Sequence, residues 1–430
     1  MPTLPELDLT ILAAAISSGA VAFRARTRLE PAGGPGDKVF PPTYLLNAYD
    51  GHRTRYAFEK RRIDGVEVPT VLLDSVASQA NRMEEALRVS WESGELSLPV
   101  ISVDFSEHEG LEDLGRITAL DAPHRAADAL LRDSMLDGVF FRHSDVGRAI
   151  TEARPNHATA MYTHCPTALV FGMWDSTGPK GGLGSKYQRA LTSEIVGIGA
   201  VAGVKVGSRL DPAGIEKNAG PLYALADHPD EWTVSPEQAE QRKGSPVTFS
   251  RKGAKGKGKG APSEANHGNI PPDVDSEAGG VTIDYALQTQ VLSLPALRRL
   301  AFVTGPDGSV LPADQRLEAQ AAARTALAAL GLAAMALGRG YGFDLRSRSQ
   351  LVPTEPLVFE LLDNDGGEPA RFRLSSKGAL ALVEQAAQAA NDLGMAWQQE
   401  EIRLVPSPKL AGLILRSRAQ VTEGEIAETD

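Results

Sequence analysis

Leu169-Val-Phe-Gly-Met-Trp174, Asp175-Ser-Thr-Gly-Pro-Lys-Gly-Gly-Leu-Gly-Ser-Lys-Tyr-Gln-Arg189 and Ile195-Val-Gly-Ile-Gly-Ala-Val-Ala-Gly-Val-Lys-Val206 follow one another in the chain. The first piece is a short apolar run of strand type. The second is a glycine loop carrying Lys180, Lys186 and Arg189. The third alternates with period two: Val196, Ile198, Ala200, Ala202, Val204 and Val206 form an apolar face, and Gly197, Gly199, Gly203, Lys205, Gly207 and Arg209 lie opposite. A strand face bare of side chains and ending in two cations lets another backbone approach closely. It also suits tight packing against a helix. The cationic loop beside it favours a polyanion backbone.

Outward from this centre, Val21–Leu29 is the cleanest strand. Val21, Phe23, Ala25 and Leu29 share one face, and Arg24, Arg26 and Arg28 the other. Three arginines on one face repel one another unless solvent or an anion screens them. A glycine- and proline-rich loop, 31–44, follows and carries Lys38. Thr54–Arg62 reads as a strand, Val71–Trp91 as an amphipathic helix ended by Gly94, and Val100–Phe105 as a strand. Ala126–Leu136 looks helical, and Val139–Ser144, with Arg142 and His143, is strand or loop. Farther on, Val281–Leu292 reads as a strand paired with Arg298–Val303. Ala313–Leu337 is a helix, 341–348 and Leu357–Leu362 are strands, and Lys377–Leu393 is a final helix before a fraying tail past Val421. Strands and helices mix without regular βα alternation, so the expected class is α+β.

The chain has 430 residues, 42% apolar and 23% charged, enough to bury a core. A formal charge of −11 argues against coating nucleic acid with the whole surface, but leaves room for a positive groove. The only cysteine, Cys165, excludes an intramolecular disulfide and fits a reducing cytoplasm. Leu9–Ile16 follows acids rather than cations, unlike a secretory signal, and the apolar run 325–337 is too short to span a bilayer. Residues 220–241 are acidic. Residues 242–259 hold seven cations and no acid, including Arg251, Lys252, Lys255, Lys257 and Lys259 between glycines. Such a tract has charge but nothing to bury, and is expected to be flexible and weakly drawn to phosphate.

Several chemistries are unsupported. The order Gly184-Ser185-Lys186 does not fit a nucleotide-binding phosphate loop. His164 and Cys165, adjacent in a presumed strand, would point to opposite faces and could not act as base and nucleophile. The histidines show no zinc-ligand spacing. No cofactor is expected.

Three stretches carry a resemblance: Leu29-Glu-Pro-Ala-Gly-Gly-Pro-Gly-Asp-Lys-Val-Phe-Pro-Pro-Thr-Tyr44, Leu73-Asp-Ser-Val-Ala-Ser-Gln-Ala-Asn-Arg-Met-Glu85, and Phe171–Gly178 with Ser193-Glu-Ile-Val-Gly-Ile-Gly199. Together they resemble the CRISPR-associated RAMP-superfamily backbone subunit of the type I-G (formerly I-U) Cascade complex. The likeness covers most of 1–220 and, more loosely, 281–400. It implies an RRM-like (ferredoxin-like) core with helices on one face, built from 1–220 and 281–430, with 92–165 an inserted subdomain; the acidic-then-basic 221–280 reads from its composition as a flexible insertion whose basic tract is no part of the matched pattern. Copies of such a subunit polymerise along a guide crRNA and present the spacer to target DNA. Other Cascade subunits complete the particle, and a separate helicase-nuclease does the cutting. By this resemblance Lys180, Ser185, Lys186 and Arg189 are the first candidates for RNA contact, followed by Arg24, Arg26 and Lys38, then Arg142 and His143. Lys205 and Arg209 would end the groove, and the 251–259 cations would tether DNA weakly. A rival reading is a metal-dependent ribonuclease using Asp175 or Asp145; another is an oligomeric scaffold without nucleic acid.

Overall fold

The computed structural model describes residues 4–178, 185–250 and 260–427. These residues fold into two compact units, 1–203 with 280–407, and 204–279 with 408–430.

The larger unit is α+β, built on a curled antiparallel sheet of nine strands. In chain order these are β1 (Ala22–Pro31), β2 (Phe58–Ile63), β3 (Val66–Asp74), β4 (Leu191–Ile198), β5 (Tyr285–Ser293), β6 (Phe343–Asp344), β7 (Gln350–Pro353), β8 (Phe359–Leu362) and β9 (Ala370–Phe372). Across the sheet they run β6-β7-β1-β5-β4-β3-β2. β8 pairs with the start of β1 at Ala22–Arg24, beyond the end of β7, and β9 pairs with β8.

Alternation sorts the sheet into two faces. On one, Phe23, Ala25, Thr27 and Leu29 of β1 are buried opposite Leu292, Gln290, Gln288 and Ala286 of β5. The helical layer comprises α1 (Leu9–Ser17), α2 (Val76–Glu92), α3 (Arg316–Tyr341) and α4 (Ser376–Asp392). α3 is the centre of the layer, packed by α1, α2 and α4. It is long and apolar enough to cross a membrane, yet 78% of its most apolar window is buried in the protein, as in a core helix. Polar residues on the buried sheet face are paired. Gln79 accepts from Ser193 and from Gln288, each at 2.8 Å, and donates to Asp74 at 2.6 Å. Asp74, fully buried, also faces Arg82 at 2.9 Å and Arg346 at 3.5 Å. Burying a carboxylate is tolerable only with such partners.

Several expectations are corrected. The helix expected from Val71 starts at Val76. Residues 71–74 belong to β3, and Ser75 caps the helix by accepting from the Ser78 amide. Residues 166–171 are a helix rather than a strand. Pro166 occupies its first turn and all six residues are buried, so no period remains to distinguish helix from strand. His164 ends a helix over 159–164, which removes the premise that it and Cys165 alternate on a strand. The helix expected over Ala126–Leu136 resolves into a 3-10 turn at 125–127, a short helix at 129–132 and a strand at Ser134–Leu136. Thr54–Arg62 is likewise divided between strands ending at Thr54 and starting at Phe58.

The long glycine strand is also broken. β4 ends at Ile198 because Gly199 turns with φ +66°, and shorter strands follow at Val201–Ala202 and Lys205–Arg209. Val281–Leu292 divides in the same way, and its long part, β5, pairs with β1 and β4 rather than with 298–303. Pro295 begins a short helix, Leu294–Arg298, in place of that partner. Residues 402–406, unassigned from sequence, form a strand parallel to Ile101–Asp104 in a separate five-stranded sheet. A helix, Pro408–Ala427, extends over the tail expected to fray.

In the smaller unit, Lys205–Arg209 pairs with Ile270–Asp275, and Tyr223–Leu225 with His228–Thr233. Leu222, Ala224 and Phe249 gather Val247 and Ala265 into a small apolar cluster.

Candidate nucleic-acid interface

The second face of the main sheet holds the alternate residues. Register places Arg24, Arg26 and Arg28 of β1 opposite Val291, Thr289 and Leu287 of β5, and Thr192 and Glu194 of β4 opposite Val291 and Thr289. These residues are half-buried or exposed.

The three arginines differ in partners. Arg24 lies 2.7 Å from Glu360, which also meets Arg371 at 3.3 Å. Arg28 stacks over the Tyr285 ring at 3.9 Å, which holds its guanidinium flat and leaves its charge uncompensated by a side-chain carboxylate. Its main-chain N–H donates to Glu355. Arg26 is exposed and has no partner among the described residues. Farther across, Arg61 makes a two-pronged pair with Glu194 at 2.5 and 3.2 Å, spanning β3, and a second with Glu59. Among the described residues the face therefore offers two cations, Arg26 and Arg28, whose charge is not already matched. Lys38 is half-buried and engaged within the protein.

The turn after Gly172 holds the next candidates. Lys180 lies outside the described residues. Ser185 is turned inward: it is 1% exposed, and its hydroxyl is tied to the Ala153 carbonyl at 2.5 Å and to Arg154 at 2.7 Å. A ligand would have to displace those buried bonds to reach it. Lys186 is exposed, with its ammonium 5.7 Å from the Trp174 ring centre. Arg189 is exposed but lies near Arg125, and partial burial and that like charge lower its pKa. Arg142 is occupied: it donates to Asp175 at 2.7 Å and to the Thr177 carbonyl at 2.8 Å. His143 is exposed beside it.

Beneath this turn lies a buried ion pair. Both guanidinium prongs of Arg125 reach Glu84 at 2.6 Å, and its third nitrogen donates to the Gly172 carbonyl at 2.8 Å. Burial pushes the Glu84 carboxyl up to about 7 against the attraction of Arg125. Arg125, with φ +51°, was not a candidate from sequence. The signal was present on the partner side: Glu84 falls on the inward stripe of α2, beside Ala80, Met83 and Leu87, where a carboxylate requires a cation.

The two candidate aspartates differ. Asp175 is 4% exposed and saturated by Arg142 and by the Thr177 amide and hydroxyl, a turn-forming arrangement. Asp145 is exposed at the start of a helix and pairs with Arg148. Among the described residues no group of three or more His, Cys, Asp or Glu could hold a metal ion. Burial raises the Cys165 thiol and lowers the His164 imidazole, so neither is an activated group.

Lys205 and Arg209 lie in the smaller unit. Lys205 pairs with Asp275 at 3.1 Å, and Arg209 donates to the Gly268 and His267 carbonyls. Main-chain donors and Lys205 together hold the Asp275 carboxyl below its usual range. Gly197 does not form part of a bare RNA-facing surface. A Cβ at Gly197 would fall 2.7 Å from Ile283 and 3.1 Å from Val71, so that face of β4 packs on the protein itself. Arg251, Lys252, Lys255, Lys257 and Lys259 lie outside the described residues.

No curated protein matches the chain. Residues 23–202, from β1 to just past β4, match the family model described as CRISPR-associated protein GSU0053 (Cas_GSU0053), and this match indicates a CRISPR-associated protein.

Proposed function

We propose that the chain is a crRNA-binding backbone subunit of a type I-G Cascade complex. Copies line up along one guide RNA, hold it by its phosphates and leave its bases to pair with target DNA. Partner subunits and a separate helicase-nuclease supply the remaining steps, and this chain performs no catalysis. The observation that carries the reading is the sorting of β1: one face closes the core, while the other carries Arg26 and Arg28 unmatched on an open sheet.

The strand order supports an RRM-like core. Taking β1, α2, β4, β5, α3 and β8 in sequence gives β-α-β-β-α-β, and the strands lie side by side as β8-β1-β5-β4. The β2–β3 hairpin is then an insertion that extends the β4 edge. Sheet faces of this kind hold single-stranded RNA. Lys186 and Arg189 would add contacts from the adjoining turn. Phosphate contact explains how an acidic protein binds RNA without sequence preference, because the positive charge need only be local.

The test is co-expression with a repeat-spacer RNA, reading particle size and bound nucleic acid. The expected result is a regular particle containing RNA. The Arg26→Ala/Arg28→Ala variant should remain folded and yield protein free of RNA. Full RNA loading by that variant would refute the sheet-face reading.

A further inference from the structure

The turn after Gly172 carries an exposed aromatic side chain that phosphate contact does not use. Trp174 is 54% exposed, the most exposed of the four tryptophans. It points outward between two buried neighbours, Met173 at 6% and Asp175 at 4%. An indole left in water forfeits the burial that would stabilise the fold, so its exposure calls for a reason. The frame around it is fixed. Met173–Trp174 pairs antiparallel with Lys186–Tyr187, and the Asp175 amide donates to the Ser185 carbonyl at 2.9 Å. The Asp175 carboxylate accepts from Arg142 at 2.7 Å and from the Thr177 amide at 3.1 Å. Arg132 donates to the Thr177 hydroxyl at 3.1 Å. Trp174 therefore projects from an anchored strand rather than from a frayed end.

Two cations share this turn. The Lys186 ammonium lies 5.7 Å from the Trp174 ring centre. The Arg189 stem crosses Gly172, where an added Cβ would fall 2.9 Å from its Cγ. Neither cation forms an ion pair among the described residues, and the nearby Asp175 and Glu84 are already taken by Arg142 and Arg125. Register joins the turn to the arginine face: Arg189 lies three positions before Thr192, which shares a row with Val291 and Arg24. The exposed residues beside Trp174 in the chain and on the paired strand, Ser176, Thr177, Lys186 and Gln188, are polar. They provide no apolar patch for a protein surface or a lipid. An aromatic ring with unmatched cations on a fixed frame is the chemistry that holds a nucleotide, the ring meeting the base and the cations its phosphate.

We propose that Trp174 is a stacking platform for a base of the bound RNA, with Lys186 and Arg189 on the adjoining phosphates. This site rests on the RNA-binding reading above and adds to it a contact with the bases. A base stacked by its face keeps its pairing edge free. Every base has such a face, so the contact carries no sequence preference.

The experiment is titration of the full chain with a labelled oligouridylate and with a ribose-phosphate strand of the same length that lacks bases. The native chain should bind both, the oligouridylate more tightly. Trp174→Ala should weaken oligouridylate binding roughly 5- to 150-fold, the loss expected for one stacked base, and leave the abasic strand unaffected. Trp174→Phe, which keeps an aromatic face, should recover much of that loss. Lys186→Ala should weaken both strands alike, because it acts on phosphate. The ratio between the two strands decides the outcome, since a loss of folded protein lowers both together. An unchanged ratio in Trp174→Ala, whether neither strand or both are weakened, would overturn the stacking site and leave the phosphate groove standing. A native chain that binds neither strand would instead remove the RNA-binding reading and this site with it.

Discussion

Two arginine–carboxylate pairs, Arg125–Glu84 and Arg61–Glu194, share their chemistry and differ in burial. The first has side chains 5% and 2% exposed, and the second 35% and 30%. Buried between α2 and the Gly172 turn, the first holds two pieces of chain in place, because neither charge can return to water. On the open sheet face, the second competes with solvent, and its partners remain available to exchange for a ligand. Charge under the sheet specifies the fold, and charge on its far side is available for binding.

Breaking the buried pair should have the largest effect. Glu84→Gln strands the Arg125 guanidinium and should reduce unfolding free energy by about 3–5 kcal/mol in a urea titration. Arg125→Met strands a carboxyl that can take up a proton. With its folded pKa already raised to about 7, the stability tied to the protonated form is present below the unfolded value near 4.5 and lost as pH rises through 7. Arg125→Met should therefore be more destabilised at pH 8 than at pH 5, whereas Glu84→Gln should show little such slope. A loss under about 1 kcal/mol for Glu84→Gln would mean that the pair is not what fixes the turn.

Gly197→Val comes next. It places methyl groups where Ile283 and Val71 already sit, and should lower stability by about 1–3 kcal/mol in thermal melts. An unchanged melt with lost RNA binding would instead return that glycine to the interface.

On the open face, a double-mutant cycle of Arg61→Ala and Glu194→Ala should give a coupling of only about 0.2–1 kcal/mol, shrinking in high salt. A coupling as large as that expected of the buried pair would erase the contrast. Arg26→Ala should leave stability unaltered and shallow the salt dependence of RNA binding by roughly 0.7 per lost phosphate contact. A normal slope would place the RNA elsewhere.

The legible part of the fold was the part written in local periodicity. The β1 alternation and the amphipathic stripe of α2 both depend on residues a few positions apart. What failed was of two kinds. Residues 166–171 are buried on every side, so their apolar run carries no period. The glycine strand reads as continuous because its alternation persists, yet Gly199 takes a left-handed turn and Val204 and Val206 remain exposed. Among the candidate contacts, residue type singled out the cations well but said nothing about their neighbours. Arg142 and Arg24 are compensated by Asp175 and Glu360, which lie 33 and 336 positions away.

By itself, then, the sequence determined the mixed class, the helix stripes and the set of charges from which an interface could be made. Tertiary structure decided which charges remain. Strand register put β8 and its Glu360 beside Arg24 but left Arg26 without a carboxylate, and packing turned Ser185 inward and drew Arg125 under the Gly172 turn to meet Glu84. The physical reason is that periodicity is a property of neighbouring residues, whereas neutralising a charge requires a partner that only the folded chain brings within a few ångströms.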